Sequence, residues 1–157
     1  MNVIFGTDHA GFELKELLKP YVKELGFSVY DKGAFSYIED DDYPDLIAPV
    51  AREVARDPAG NRGIILGGSG QGEAIVANRF PFVRAVVINC YREESDLDEV
   101  ALTREHNDAN VLSLGARFLT EEQAKAIVTR WLDISFSKEE RHIRRIEKIE
   151  EVTREIS

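Results

Sequence analysis

Five short apolar runs, each separated from the next by a stretch of helical periodicity, restrict the fold of this chain more than any other feature. The runs are Asn2–Gly6, Phe27–Asp31, Gly63–Leu66, Arg84–Ile88 and Val111–Leu114. After the first, Leu14, Leu17, Leu18, Tyr21, Val22 and Leu25 recur at helical spacing across Phe12–Leu25. Pro20 sits inside that pattern, where its ring and missing N–H predict a kink or a break. Pro44 suits the first turn of a helix reaching about Ala55. Further helices are expected from Glu73 to Asn78 and from Leu97 to Glu105. Thr120-Glu121-Glu122-Gln123 is a capping box that opens a helix to about Leu132. An extended last helix, Lys138–Glu155, carries Ile143, Ile146, Ile149 and Val152 along one face. Regular alternation of this kind predicts an α/β fold, a five-stranded parallel sheet with helices on both faces. No repeat or linker divides residues 1–157, so one domain is expected.

Charge and cysteine usage narrow the function classes. With 29 acidic against 20 basic residues the net charge is −9, which disfavours non-specific binding to nucleic acid or an anionic membrane. The apolar runs are too short to cross a bilayer, and Met1 leads directly into a strand rather than a signal region. A cytoplasmic protein is expected. The single cysteine, Cys90, provides neither an intramolecular disulfide framework nor a cysteine zinc site. No metal is expected. The run Glu39–Asp42 lacks the alternating ligands and central glycine of a calcium loop and reads as solvated.

In open parallel sheets, ligands bind beyond the carboxyl ends of the strands. Thr7–Gly11, Gly67–Gly72, His106–Asn110 and Gly115–Arg117 are expected to meet on that edge. Gly67-Gly68-Ser69-Gly70-Gln71-Gly72 follows a buried strand and opens a helix. Its backbone N–H groups and the helix N-terminus suit an anion. It is neither a P-loop, since no Gly-Lys-Ser/Thr follows, nor a G-x-G-x-x-G dinucleotide fingerprint. Glu73, just after the loop, has no cation at helical spacing, and the helix N-terminus favours its ionised form. It reads equally as a stabilised terminus and as a general base.

Arg141 and Arg145 share a face of the last helix without an acidic helical partner, an arrangement that an anion would stabilise. Arg144 has Glu140 and Glu147 within reach and reads as a surface pair. His9 and His106 fall on loops assigned to the cleft, and His142 lies beside the arginines.

Taken together, Gly6-Thr7-Asp8-His9-Ala10-Gly11, Asp42-Tyr43-Pro44, the glycine loop with Glu73, Ala77-Asn78, Arg104 to Asn110 and Arg141-His142-Ile143-Arg144-Arg145 resemble the family of ribose-5-phosphate isomerase B and the galactose-6-phosphate isomerase subunits. The resemblance covers almost the whole chain in the same order. It implies a Rossmann-like three-layer α/β/α sandwich and a homodimer, possibly a dimer of dimers, with sites shared between subunits. The implied reaction interconverts an aldose and a ketose phosphate through a cis-enediolate without a cofactor, most simply ribose 5-phosphate and ribulose 5-phosphate. Some members carry a cysteine base where this chain has Gly67; others use the glutamate that Glu73 matches.

By that resemblance Glu73 moves the proton between carbons, and His106 opens the sugar ring with Asp8 assisting. The Ser69 hydroxyl and the N–H groups of Gly68, Ser69, Gly70, Gln71 and Gly72 stabilise the enediolate. His9, Arg117, Arg141 and Arg145 hold the phosphate, the last-helix arginines coming from the partner subunit. Tyr43 and Asn107 contact sugar hydroxyls. The segments Ala34–Asp42 and Asn89–Val100 look extended, which bears on substrate size. A six-carbon sugar phosphate, a subunit of a hetero-oligomeric isomerase and a non-catalytic module binding a phosphorylated metabolite are the alternatives.

Overall fold

The computed structural model describes residues 1–154. Its strands are β1 (Asn2–Thr7), β2 (Ser28–Asp31), β3 (Asn61–Gly67), β4 (Ala85–Ile88) and β5 (Val111–Gly115). Its helices are α1 (Phe12–Glu24), α2 (Tyr43–Arg56), α3 (Gln71–Ala77), α4 (Asp96–Glu105), α5 (Glu121–Asp133) and α6 (Glu140–Arg154). A short 3-10 turn, His9–Gly11, joins β1 to α1. All four strand pairings are parallel, in the order β2-β1-β3-β5-β4.

Strand periodicity divides the core into two layers. Val3, Phe5, Ile64, Leu66, Leu112 and Leu114 pack against Leu18 and Val22 of α1, Val100 of α4 and Ile127, Val128 and Trp131 of α5. Ile4, Ile65 and Val111 point the other way, onto Ile47, Val50 and Val54 of α2 and Ala77 of α3. The result is the three-layer Rossmann-like sandwich. The order reverses between β1 and β3, so the loops after these two strands flank the crevice where such sheets bind ligands.

The expected break at Pro20 does not occur: α1 runs through it to Glu24. Pro20 and Glu16, whose carbonyl loses its helical partner, are both exposed, so water can take that carbonyl. The capping box is present. Thr120 Oγ1 accepts from Gln123 N–H at 3.3 Å, and Gln123 Oε1 accepts from Thr120 N–H at 2.9 Å. Lys15, which the sequence pattern does not single out, is fully buried in α1. It donates to both oxygens of Asp31, at 2.8 and 2.7 Å, and to the Ala34 carbonyl at 2.6 Å, tying the end of β2 to the loop that follows. Burial raises the Asp31 carboxyl, but the bonds from Lys15 and Lys19 pull it below the usual range.

The last helix behaves differently from the others. Ile143, Ile149 and Val152 remain exposed, so its apolar stripe does not enter the core. The expected end at Glu155 lies outside the described residues. Among the described residues no helix is long and apolar enough to cross a membrane.

Candidate active site

Three of the four loops expected at the carboxyl edge do meet there. The loop after β1 is tied to β3 by Thr7 Oγ1, which donates to the Leu66 carbonyl at 3.0 Å. The loop after β5 donates from Ala116 N–H to Gly67 O at 2.8 Å and from Arg117 N–H to Gly68 O at 3.1 Å. Two side chains hold the next loop carbonyls. Asn89 Nδ2 donates to Ser69 O at 3.0 Å, and Ser113 Oγ donates to Gly70 O at 2.6 Å. With these carbonyls engaged by the protein, the backbone groups the glycine loop can offer a ligand are N–H donors, of which Gln71 N–H also reaches a side chain of the loop. Gly70 caps α3 with φ +79°, a left-handed conformation open to glycine at no steric cost. The Ser69 hydroxyl accepts from Gln71 N–H at 3.4 Å.

Glu73 sits in the first turn of α3 and is 4 % exposed. Its carboxylate lies directly against the α-carbon of Gly67, where any Cβ would collide with it. The glutamate therefore fills the space in which a side chain at position 67 would stand. Burial pushes its pKa up and the neighbouring Asp8 adds to that, against its own backbone N–H. The helix N-terminus alone would favour the ionised form, as the sequence reading has it; desolvation of a carboxylate inside the crevice outweighs that effect. Asp8, 7 % exposed, is also raised, chiefly by burial, although its Oδ1 accepts from Ala10 N–H at 3.0 Å.

Around these two acids stand the other expected ligand groups. The Tyr43 ring packs on Gly72, with an ideal Cβ there falling 2.8 Å from the ring. The Arg117 guanidinium lies beside Gly68, where a Cβ would be 3.3 Å away, and its charge is felt by His9. Gln71 is exposed at the start of α3.

His106 and Asn107 do not join this group. They follow α4 and precede β5, and a segment leading into a strand of a parallel sheet lies at its amino edge. Arg84, just before β4, holds Asn107 there by donating from Nε to Asn107 O at 3.0 Å. The five residues of β5 span about 16 Å between the two edges. His106 instead stacks on His142 of α6, with ring centroids 4.3 Å apart and planes inclined by 14°. Arg141 and Arg145, which flank His142 on α6, belong with this second group. Arg141 does have an acidic partner, Glu139, two residues earlier and ahead of the helix, at 2.8 Å. Both side chains are about half exposed, where such a pair contributes little. Among the described residues Arg145 has no ion pair, and neither does Arg144, so the expected surface pair with Glu140 or Glu147 is absent.

The sequence reading also missed Asp41. The acidic run is solvated at Glu39, Asp40 and Asp42, as expected, but Asp41 turns inward to His9. Ligand atoms of Asp8, His9 and Asp41 fall within 4.8 Å of one another. His9 Nδ1 is already engaged by Asp41, so the trio reads as a hydrogen-bonded pair beside a buried acid. Asn89 and Ser113, which hold the glycine loop, are likewise invisible to motif spacing. Cys90, just past β4, is exposed and free.

Comparison with known proteins gives a consistent picture. Residues 3–149 match the family model described as Ribose/Galactose Isomerase. The chain is 40 % identical over 154 residues to ribose-5-phosphate isomerase B of Mycobacterium tuberculosis, covering 98 % of this chain and 91 % of that one. It is 40 % identical over 148 residues to the Escherichia coli protein of the same name, covering 94 % and 93 %. The crystal structure of ribose-5-phosphate isomerase B from Mycoplasma genitalium with bound ribulose-5-phosphate superposes with a TM-score of 0.90 at 34 % identity, over 98 % of this chain and 97 % of that one.

Proposed function

Because the chain belongs to the ribose/galactose isomerase family, we propose that it interconverts ribose 5-phosphate and ribulose 5-phosphate by proton transfer between carbons 1 and 2. The observation that carries this reading is the placement of Glu73. It is a buried carboxylate of raised pKa, next to a glycine loop whose carbonyls from Gly67 to Gly70 are taken by the protein.

In this reading the open-chain aldose lies over the loop with carbon 2 at the Glu73 carboxylate. Glu73 takes the carbon 2 proton, and the electron pair moves through the new carbon–carbon double bond onto the carbonyl oxygen. Loop N–H groups and the Ser69 hydroxyl stabilise that oxyanion, at about 3–4 kcal/mol per well-placed donor. Glu73 then returns its proton to carbon 1, while a proton passes from the carbon 2 hydroxyl to the carbon 1 oxygen, which leaves the ketose. A raised pKa suits a group that must both take and give a proton near neutral pH. His9 and Arg117 hold the phosphate, Tyr43 a sugar hydroxyl, and Asp8 assists ring opening.

His106, Asn107, Arg141 and Arg145 lie too far along the sheet to complete this site in one chain, so a second copy supplies them. The exposed face of Ile143, Ile149 and Val152 fits a helix covered in a homodimer.

Position 67 gives a local check. Gly67→Ala forces the Glu73 carboxylate to move, since the new Cβ claims its place. A displacement near 1 Å at a reacting group costs on the order of 100-fold in turnover. Full activity in a folded Gly67→Ala protein would show that the carboxylate is not used from this position. The proposal itself is tested by incubating the protein with ribose 5-phosphate in deuterated water and following the carbon 2 proton by NMR. Exchange with ribulose 5-phosphate formation is expected. No exchange with ribose 5-phosphate, but exchange with allose or galactose 6-phosphate, would move the assignment to a six-carbon substrate. Failure with all three would leave a binding module.

A further inference from the structure

The acidic loop between β2 and α2 has no task in the reading above, yet the structure folds it over His9. One oxygen of Asp41, Oδ1, accepts from the His9 backbone N–H at 3.0 Å and stands 2.8 Å from the ring nitrogen Nδ1. Two bonds to one oxygen fix both the main chain and the ring. Tyr37, from the same loop, meets the imidazole edge-on with centroids 6.2 Å apart at 85°. The Asp41 side chain is only 10 % exposed, and its other oxygen, Oδ2, is buried without a partner among the described residues. An ionised carboxylate removed from water to that degree is stabilised by a positive partner, and the imidazole is the group bonded to it.

A ring nitrogen facing a carboxylate oxygen is the donor, so the proton stays on Nδ1 and Nε2 is left for a ligand. The consequence for an anion is sharp. If the ring is neutral with its proton on Nδ1, Nε2 offers a phosphate oxygen only a lone pair. If the ring is protonated, Nε2–H donates a charge-assisted bond. The charged and titratable groups around His9 are Asp41 from the loop, Asp8 in the adjoining turn, Arg117 from the loop after β5 and the Tyr37 phenol. The Asp41 hydrogen bond is the largest influence and holds the proton on the ring, Asp8 supports it, and partial burial and Arg117 oppose it.

We infer that Asp41 is a positioning residue: it orients the His9 imidazole and keeps it as the imidazolium that takes the substrate's phosphate. The second half rests on the phosphate role proposed for His9; the first does not. Phosphate affinity is then present below the His9 midpoint and lost as pH rises through it.

The test follows the His9 ring protons by NMR across pH, in wild type and Asp41→Asn, with and without inorganic phosphate. The signal is assigned by its loss in His9→Asn. In wild type the midpoint lies above the ordinary histidine value of about 6.5, and in Asp41→Asn it falls back towards that value. At pH 7.5 the variant binds inorganic phosphate about fivefold more weakly, and KM for ribose 5-phosphate rises by a similar factor while kcat changes less. A wild-type midpoint at or below 6.5, or the same midpoint in both proteins, overturns the inference. A lowered midpoint with unchanged phosphate affinity and KM overturns the phosphate half. Absence of isomerase activity in wild type would remove the proposed function, and the NMR midpoints would still decide the Asp41–His9 coupling.

Discussion

Glu73→Gln is expected to lower turnover of ribose 5-phosphate by about 1,000-fold and to abolish carbon 2 proton exchange. Glutamine keeps the shape of the side chain beside Gly67 but has no site for a transferred proton. The same substitution should raise stability at neutral pH, for a reason independent of the reaction. The folded protein holds the Glu73 carboxyl at a raised pKa because burial and Asp8 disfavour its charge. A carboxyl raised on folding binds its proton more tightly in the native state than in the unfolded chain. Wild type therefore loses stability as pH rises from the unfolded value of about 4.5 to the raised folded value, and does not regain it above. Glu73→Gln is spared that loss, so it should melt higher than wild type at pH 7.5, with the gap closing as pH falls through this window. Thermal unfolding at several pH values, paired with the exchange assay, separates the outcomes. Loss of activity together with lower stability at pH 7.5 would make Glu73 a structural residue.

Activity regained by mixing two dead proteins is the second large effect. The carboxyl-edge group holds Asp8, Glu73 and the glycine loop, while His106, Arg141 and Arg145 gather at the amino edge and on α6. If each site takes one group from each chain, Glu73→Gln and Arg145→Ala homodimers are both inactive. A heterodimer of the two carries one doubly damaged site and one intact site. Random reassociation makes half the dimers heterodimers, so about a quarter of wild-type activity should return. Unfolding and refolding the proteins together, followed by assay, reads this directly. No recovery, with mixed dimers demonstrated by a tag, would show that each chain uses its own arginine.

The fold class and the proposed proton-transfer site are both legible from residues close together in the chain. The glycine loop, Glu73 and the alternation of strand and helix are local, and local patterns survive being read without a structure. The position of His106 also follows from chain order, because a residue that precedes a parallel strand stands at the amino edge; the reading that placed it with Thr7 and Gly67 overlooked that direction. Pro20 shows the opposite case, since only exposure of its face explains why α1 tolerates it. The partner of Arg141 was missed because Glu139 stands outside the helix, at a spacing that helical periodicity does not consider.

By itself, the sequence determined the layered parallel fold, the glycine loop after β3 as the candidate anion site and Glu73 as the candidate base, because each depends on residues close together in the chain. Only the tertiary structure decided the direction of the Glu73 shift, the separation of the arginines from the base, and the bond between Asp41 and His9. Those depend on burial and on contacts between segments far apart in the chain, as Asp8 is from Glu73 and Asp41 from His9, where the electrostatic environment is made by neighbours that no spacing in the chain specifies.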